Sequence, residues 1–286
     1  MGRALWPDRR ARRRQEGRRA APARSRPARG RQDVGGRARP AQGGAAPLLP
    51  PRPGQVTADD GLLLFSWRGC LFRIGERVQP PKAGSLFFCR HLPVCAGERV
   101  LEIGSGLGLA SVLAARAGAH VVATDIVPEA VEAIRGNATL NGVSVDARLG
   151  DCYAPVSGER FDLICSNPPQ MPTPSGRERS DAVAAADNGG VDGWRILDRV
   201  IDGAPEHLAP GGRLVFSIFA FLGRKRAFAR LEAHALTPTV LATEVQAFPR
   251  IGYERLEHIR SLDVEGALAP GVPATVERLI VQGTRA

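Results

Sequence analysis

From residue 56 onward, continuous apolar runs alternate along the chain with segments in which apolar residues have helical spacing. This pattern predicts strands and helices in turn. Seven apolar runs predict strands, at 99–103, 120–124, 145–149, 161–165, 213–219, 239–247 and 276–282. Helical spacing predicts helices at 83–92, 109–117, 194–208 and 224–235, and another from Pro128 to the Asn141-Gly142 pair. Strands that alternate with helices of this length predict an α/β fold, with a mostly parallel seven-stranded sheet covered by helices on both faces.

A short β-hairpin precedes this pattern. Residues 62–65 and 70–74 are apolar runs separated by a turn at 66–69, and the predicted helix at 83–92 follows them. The chain therefore divides into a leader at 1–55, an N-terminal extension of hairpin and helix at 56–95, and a main domain at 96–286.

Charge is distributed unevenly between these parts. The chain of 286 residues has a net charge of +10, yet residues 1–55 hold 15 of the arginines and only three acids. The rest of the chain is close to neutral. The leader is rich in Arg, Pro, Gly and Ala, and it has too few apolar residues to offset the entropy of ordering, so we predict that it is disordered. Two interpretations remain open: an arm that makes weak contact with RNA or another polyanion, or a leader without function.

Other features narrow the class of protein. No run of about 20 apolar residues occurs, so we predict no membrane span. The five cysteines include no C-x-x-C pair and follow no secretory signal, which favours free thiols and a cytoplasmic location. We also expect no metal site.

The junction of the first predicted strand of the main domain with its helix carries a glycine loop, Glu-Ile-Gly-Ser-Gly-Leu-Gly. Gly104, Gly106 and Gly108 allow a tight turn and close approach of a ligand to the main chain. A dinucleotide site would need glycine at 109, where Leu109 stands. Glu102 would also repel a pyrophosphate, and it suits the cationic methionine end of S-adenosylmethionine (SAM).

Two further acids follow the next two strands. Asp125 comes 21 residues after Gly104, where a carboxylate can accept both ribose hydroxyls, although NAD sites share this feature. Asp151 follows the third strand and is predicted to accept from the adenine amino group. Three acids at successive strand ends beside a glycine turn favour SAM over a dinucleotide.

The fourth strand ends in Asn167-Pro168-Pro169-Gln170. The prolines fix φ and remove N–H donors, so the carbonyls around Asn167 and Pro168 are predicted to point into the site. Together with the side-chain oxygen of Asn167 they can accept both hydrogens of a planar –NH2 group. Catalysis would then consist mainly of positioning and electrostatics.

These motifs, in this order, resemble those of class I SAM-dependent methyltransferases that carry Asn/Asp-Pro-Pro-aromatic after the fourth strand. That group includes glutamine methyltransferases of release factors and ribosomal proteins, guanine methyltransferases of ribosomal RNA, and adenine methyltransferases. The resemblance covers about 80–286. It implies a Rossmann-like fold, SAM as the cofactor, Asn167 and Pro168 as catalytic residues, and Asn167, Pro168, Pro169 and Gln170 as the binding site of the methyl acceptor.

The sequence departs from the family at Gln170, where an aromatic residue usually stacks on the target group. Glutamine offers hydrogen bonds but little stacking. The glycine-rich stretch at 188–193 resembles one in the glutamine methyltransferases, and its glycines are interpreted as hinges of a lid. Three hypotheses stay open: a methyltransferase acting on a protein glutamine or an RNA base, a small-molecule N- or O-methyltransferase of secondary metabolism, and an NAD-dependent oxidoreductase or non-catalytic nucleotide-binding protein.

Overall fold

A computed structural model describes residues 56–59, 62–75, 78–177 and 187–286. The predictions made for 1–55 lie outside these residues. The strands described are β1 (Val56–Asp59), β2 (Leu62–Trp67), β3 (Cys70–Ile74), β4 (Arg99–Ile103), β5 (His120–Asp125), β6 (Val145–Leu149), β7 (Phe161–Ser166), β8 (Leu208–Phe219), β9 (Leu236–Ala247) and β10 (Thr275–Arg285). The helices described are α1 (Ala83–His91), α2 (Leu109–Arg116), α3 (Pro128–Leu140), α4 (Arg195–His207), α5 (Arg224–Ala233), α6 (Arg250–Tyr253) and α7 (Leu256–Leu262).

The main sheet has seven strands in the order β6-β5-β4-β7-β8-β10-β9. Every pairing from β6 to β8 is parallel, and β10 runs antiparallel to both β8 and β9. The mostly parallel, Rossmann-like sheet that the sequence predicts is therefore confirmed. Strands β5 and β6 are added on one side of β4, and β7 and β8 on the other, so the strand order reverses between β4 and β7. The carboxyl ends of β4, β5 and β7 therefore meet at one edge of the sheet, where such sheets bind ligands.

Two hydrophobic cores cover the two faces of this sheet. Alternate residues of one strand point to opposite faces, so Leu101 and Ile103 belong to one core and Val100 to the other. The first core contains the inner face of α4, and the second contains buried residues of α1, α2, β2 and β3. Burial on both faces explains why the central strands are continuous apolar runs.

The strands of the N-terminal extension form a three-stranded antiparallel sheet in the order β1-β2-β3. The predicted hairpin of β2 and β3 is confirmed, with the turn between Trp67 and Cys70. The sequence did not predict β1, which is only four residues long and pairs with β2. Such a short strand has too little alternation of its own to be recognised.

Two asparagines, one within α3 and one at its C-terminal cap, hold β3 against the main domain. Asn137 accepts a hydrogen bond from Arg73 N at 2.7 Å and donates to Arg73 O at 3.1 Å and to Leu107 O at 2.8 Å. One helical turn later, Asn141 accepts from Leu71 N at 2.9 Å and donates to Leu71 O at 2.7 Å. The two amides thus pair with β3 as a neighbouring strand would, and Asn137 also contacts the glycine loop.

Other differences from the predicted elements have local causes. β8 begins at Leu208 instead of 213, because Leu208 pairs with Phe161 across an irregular register that accommodates Pro210 and two glycines. Helices α6 and α7 were not predicted, because four and seven residues are too few to establish a helical period. The longest described helices have 13 residues, and no described helix has the length and apolarity needed to span a membrane.

We predict that Asn137→Ala lowers the free energy of unfolding by about 2–4 kcal/mol, because three main-chain groups, one of them in a buried hydrogen bond, lose their partner. Urea denaturation with an unchanged m-value measures this. Thr139→Ala is the control, since Thr139 is exposed on the same helix. A loss no larger for Asn137→Ala than for Thr139→Ala would show that these hydrogen bonds do not stabilise the fold.

Candidate functional site

A cavity of about 610 Å³ lies at the carboxyl ends of β4, β5 and β7. The glycine loop, Asp125 and the Asn-Pro-Pro-Gln segment line it, as do the first turn of α1 and Arg278 of β10. Its volume is typical of a site for a small molecule or cofactor.

The glycine loop has the conformation that its composition predicts. Gly104 and Gly106 have φ of +70° and +58°, and a Cβ atom at either position would meet nothing within 4 Å. Side chains there would therefore project into free space beside the cavity and strain the backbone. Gly108 has a different role: its φ is +86°, and a Cβ there would lie 3.2 Å from Ile134 Cα, so this glycine lets α2 and α3 approach.

Glu102 is buried at the end of β4 and anchors the loop. Its Oε2 accepts hydrogen bonds from Ser105 Oγ at 2.6 Å, from Ser111 N at 2.8 Å and from Ser111 Oγ. Among the described residues, no hydrogen bond reaches Oε1. Burial raises the pKa of Glu102 to about 7, an effect that the serine hydrogen bonds oppose and the neighbouring Asp125 reinforces.

Asp125 is the last residue of β5 and also binds the glycine loop. Its Oδ2 accepts from Gly106 N and its Oδ1 from Val127 N, both at 2.9 Å. Burial raises the pKa of Asp125, and these main-chain hydrogen bonds partly oppose the rise. The carboxylate therefore couples the glycine loop to the start of α3.

The two carboxylates give this end of the cavity a negative character. No described cation forms a salt bridge with Glu102 or Asp125. Buried charges without a partner are costly, and a cationic ligand would lower that cost. The glycine cradle and the free Oε1 of Glu102 thus fit the cation-bearing end of SAM, and a pyrophosphate fits them poorly.

Asp151 lies apart from this pair. It is not among the residues that line the cavity, and its half-exposed carboxylate forms a salt bridge with Arg199 at 2.8 Å. The hydrogen bond from Arg199 lowers the pKa of Asp151. The adenine contact predicted for Asp151 stays a prediction.

The Asn-Pro-Pro-Gln segment follows β7 directly, and all four residues line the cavity. The Oδ1 of Asn167 accepts a hydrogen bond from Ser217 Oγ of β8. An oxygen with two lone pairs retains capacity for one more donor. Asn167 therefore has a fixed side chain and one lone pair available to a ligand.

The side chain of Gln170 is engaged within the protein. Its Nε2 donates to Ser217 O at 2.5 Å, its Oε1 accepts from Phe219 N at 3.2 Å, and the residue is buried. Glutamine here ties the loop after β7 to β8. Its place in the binding site of the acceptor stays a prediction, and the bonds already made leave its amide little capacity for a ligand.

The glycine-rich stretch packs against this segment. A Cβ at Gly189 would lie 2.7 Å from Gln170 C, and one at Gly193 would lie 2.7 Å from Gln170 O. The structure thus requires these glycines for close packing, whereas the sequence interpretation made them hinges. Residues 178–186 of the same loop lie outside the described part of the chain.

Sequence reasoning missed two residues of the site, Ser217 and Arg278. Arg278 Nη1 donates to Ser217 Oγ at 3.2 Å, and the guanidinium lies 3.7 Å from the centre of the Phe219 ring. No local motif marks either residue. Ser217 reaches Asn167 because β8 lies beside β7 in the folded sheet, and Arg278 reaches Ser217 because β10 is the next strand after β8.

We predict that Glu102→Gln changes the pH dependence of stability. The pKa of Glu102 is about 7 in the folded state, against an ordinary value of 4.5. Between these pH values the folded state retains a proton on this carboxyl group that the unfolded state has lost. The stability of the parent chain should therefore fall as pH rises through this window, by about 3 kcal/mol, and level off above it. Denaturation from pH 4.5 to 8 should show the variant gaining stability relative to the parent over this window. A difference that is constant with pH would contradict the assignment; the exposed Glu232→Gln is the control.

Comparison with known proteins identifies relatives with the same fold. Residues 80–186 match the family model of the methyltransferase small domain. A relative from Methanocaldococcus jannaschii that carries the name protein N5-glutamine methyltransferase is 31% identical over 195 residues, which are 68% of this chain and 96% of the relative. The release factor glutamine methyltransferase of Cereibacter sphaeroides is 41% identical over 137 residues, and the chain spans 48% of its length.

Among solved structures, a chain of the E. cuniculi Mtq2–Trm112 complex, which is responsible for methylation of the translation termination factor eRF1, shares the fold with a TM-score of 0.51 at 19% identity. The match covers 73% of this chain and 99% of that one. The fold, the cavity and the near-complete match to the Methanocaldococcus relative agree, and this chain belongs to the SAM-dependent methyltransferase family that includes the protein N5-glutamine methyltransferases.

Proposed function

We propose that this chain transfers the methyl group of SAM to the side-chain amide nitrogen of a glutamine in a protein. One observation carries the proposal: the side-chain oxygen of Asn167 is held in the cavity by Ser217, next to the glycine loop, with a lone pair left for a –NH2 donor. The names of the relatives with matching sequence support a protein glutamine as the acceptor.

At the cofactor end, Gly104 and Gly106 would let SAM approach the main chain. Glu102 would accept from the ammonium group through Oε1, and Asp125 would accept from the ribose hydroxyls. Asp151 would accept from the adenine amino group if it separates from Arg199. When bound, SAM supplies an electrophilic methyl group on a positively charged sulfur.

At the acceptor end, Asn167 and Pro168 would hold the two hydrogens of the amide with their oxygens, while Pro169 fixes the turn that presents them. This contact orients the nitrogen and excludes water from it. The nitrogen gives up one proton to solvent after the methyl group is transferred, so no residue need remove it beforehand. The contribution of Asn167 and Pro168 is therefore positioning and electrostatic stabilisation.

The aromatic residues of the cavity favour a glutamine over a nucleobase. Phe88 and Phe219 are the aromatic residues among the described lining, and both are buried. Phe219 stacks on Phe221 with ring centres 5.0 Å apart, and the guanidinium of Arg278 lies over the same ring, so both contacts compete with a base for stacking on Phe219. An enzyme that acts on a flipped base usually stacks it between aromatic or apolar side chains, whereas a flexible glutamine side chain needs no such platform.

The natural setting of this reaction is the cytoplasm, where translation proteins occur. Methyl transfer from labelled SAM into the protein, RNA and small-molecule fractions of a lysate tests the proposal. Label in protein, recovered as N5-methylglutamine after digestion, is the expected result. Label in RNA or in a small molecule would replace the proposed acceptor, and thermal stabilisation by NAD without stabilisation by SAM would exclude methyl transfer altogether.

We predict that Asp125→Ala weakens SAM binding by about 10- to 100-fold, because it removes charge-assisted hydrogen bonds. Asp151→Ala should weaken binding less, and Arg199→Ala, which removes only the partner of Asp151, should not weaken it. Calorimetric titration with SAM measures all three. Equal affinity of Asp151→Ala and the parent chain would show that Asp151 does not contact the adenine.

We predict that Asn167→Ala lowers turnover by about 10²- to 10³-fold, as removal of one positioned polar group does in other enzymes, while SAM affinity stays within about two-fold of the parent value. Asn167→Asp keeps an acceptor oxygen and should retain more turnover than Asn167→Ala. Undiminished turnover in Asn167→Ala would contradict the acceptor role of Asn167.

A further inference from the structure

Arg278 lies at the acceptor end of the cavity, two hydrogen bonds from Asn167. Its Nη1 donates to Ser217 Oγ at 3.2 Å, and Ser217 Oγ donates to Asn167 Oδ1. The guanidinium is therefore next to the position that the amide of the acceptor would occupy.

The guanidinium is held in a fixed position. It lies over the Phe219 ring at 3.7 Å, and on α1 a Cβ at Gly84 would lie 2.9 Å from its Cζ. Only glycine at position 84 leaves room for it. Arg278 has thus already lost the side-chain freedom that a flexible arginine would lose on binding.

This cation has no acidic partner among the described residues. Its Nε is buried without a hydrogen bond, and Ser217 Oγ is the one described acceptor of a hydrogen bond from the guanidinium. Glu244 lies opposite Arg278 in the strand register, but its carboxylate bonds to Arg90 and to Gln246. Burial lowers the pKa of Arg278 to about 10, which still leaves it charged at neutral pH.

A half-buried cation without an anionic partner is costly, and a ligand that brings an oxygen to it gains a charge-assisted hydrogen bond. A carboxamide has two sides: an –NH2 group that donates and an oxygen that accepts. Asn167 and Pro168 offer oxygens for the first side. Arg278 offers a donor for the second side, and an amide oxygen buried without a donor would be unfavourable.

We propose that Arg278 recognises the carboxamide oxygen of the glutamine acceptor, next to the nitrogen held by Asn167 and Pro168. This inference rests on the proposed function and adds a residue that determines specificity. Together the three residues would distinguish a carboxamide from a carboxylate, which lacks the hydrogens, and from an amine, which lacks the oxygen.

Kinetics with labelled SAM and a capped glutamine (N-acetylglutamine methylamide) test the inference. Arg278→Met should raise the KM for this probe by about 10- to 100-fold while kcat changes much less, because the lost contact is a binding contact. Arg278→Lys keeps a cation and should restore part of the affinity. Gly84→Ala, which displaces the guanidinium and leaves its charge, should raise KM in the same direction.

Arg224→Met is the matched control, since Arg224 is exposed and lies over Phe228 outside the cavity. It should leave KM and kcat unchanged. Thermal unfolding of each variant identifies any loss of folding, and Gly84→Ala tests the inference independently if Arg278→Met does not fold.

The outcomes separate the two proposals. Methylation of the capped glutamine with an unchanged KM in Arg278→Met overturns the inference and leaves the proposed function standing. A lower affinity for SAM with an unchanged KM for glutamine overturns it as well, and assigns Arg278 to the carboxylate of the cofactor. A fall in kcat alone overturns it in favour of an indirect role through Ser217. If the parent chain methylates RNA and not glutamine, both proposals fail.

Discussion

The carboxylates of Glu102 and Asp125 hold the glycine loop against the ends of β4 and β5, and the cofactor half of the site depends on these contacts. Glu102 accepts from the first turn of α2 and Asp125 from Gly106, so the same two groups shape the loop and charge the cavity. Burial raises the pKa of both groups. Their desolvation is a cost in the folded protein that a cationic ligand would reduce.

The lining of the cavity also contains a cation. The guanidinium of Arg278 lies over the Phe219 ring and occupies the space that a side chain at Gly84 would need. No described acid forms a salt bridge with it. Asn167 is joined to Arg278 through Ser217. The lining of the cavity therefore offers two acids suited to a cationic cofactor, a cation suited to a substrate oxygen, and the amide oxygen of Asn167.

Much of the fold followed from local pattern. Continuous apolar runs such as 99–103 and 161–165 predicted the central strands, because strands buried on both faces need apolar residues throughout. The pattern failed where an element was short or irregular, as at β1, α6 and the start of β8. In the site, Glu102, Asp125 and Asn167 could be chosen from the sequence because each follows a strand or glycine turn directly.

Local sequence patterns were enough to predict the succession of strands and helices along the chain and the chemistry of the loops after β4, β5 and β7. Both depend on residues that are adjacent in the chain. Tertiary packing alone binds Gln170 to β8, pairs Asp151 with Arg199, and joins Arg278 to Asn167 through Ser217. The direct hydrogen bonds join residues between 47 and 61 positions apart in the chain. Arg278 and Asn167 are further apart, and Ser217 connects them. Such pairs depend on the packing of neighbouring strands and helices, which no local motif records.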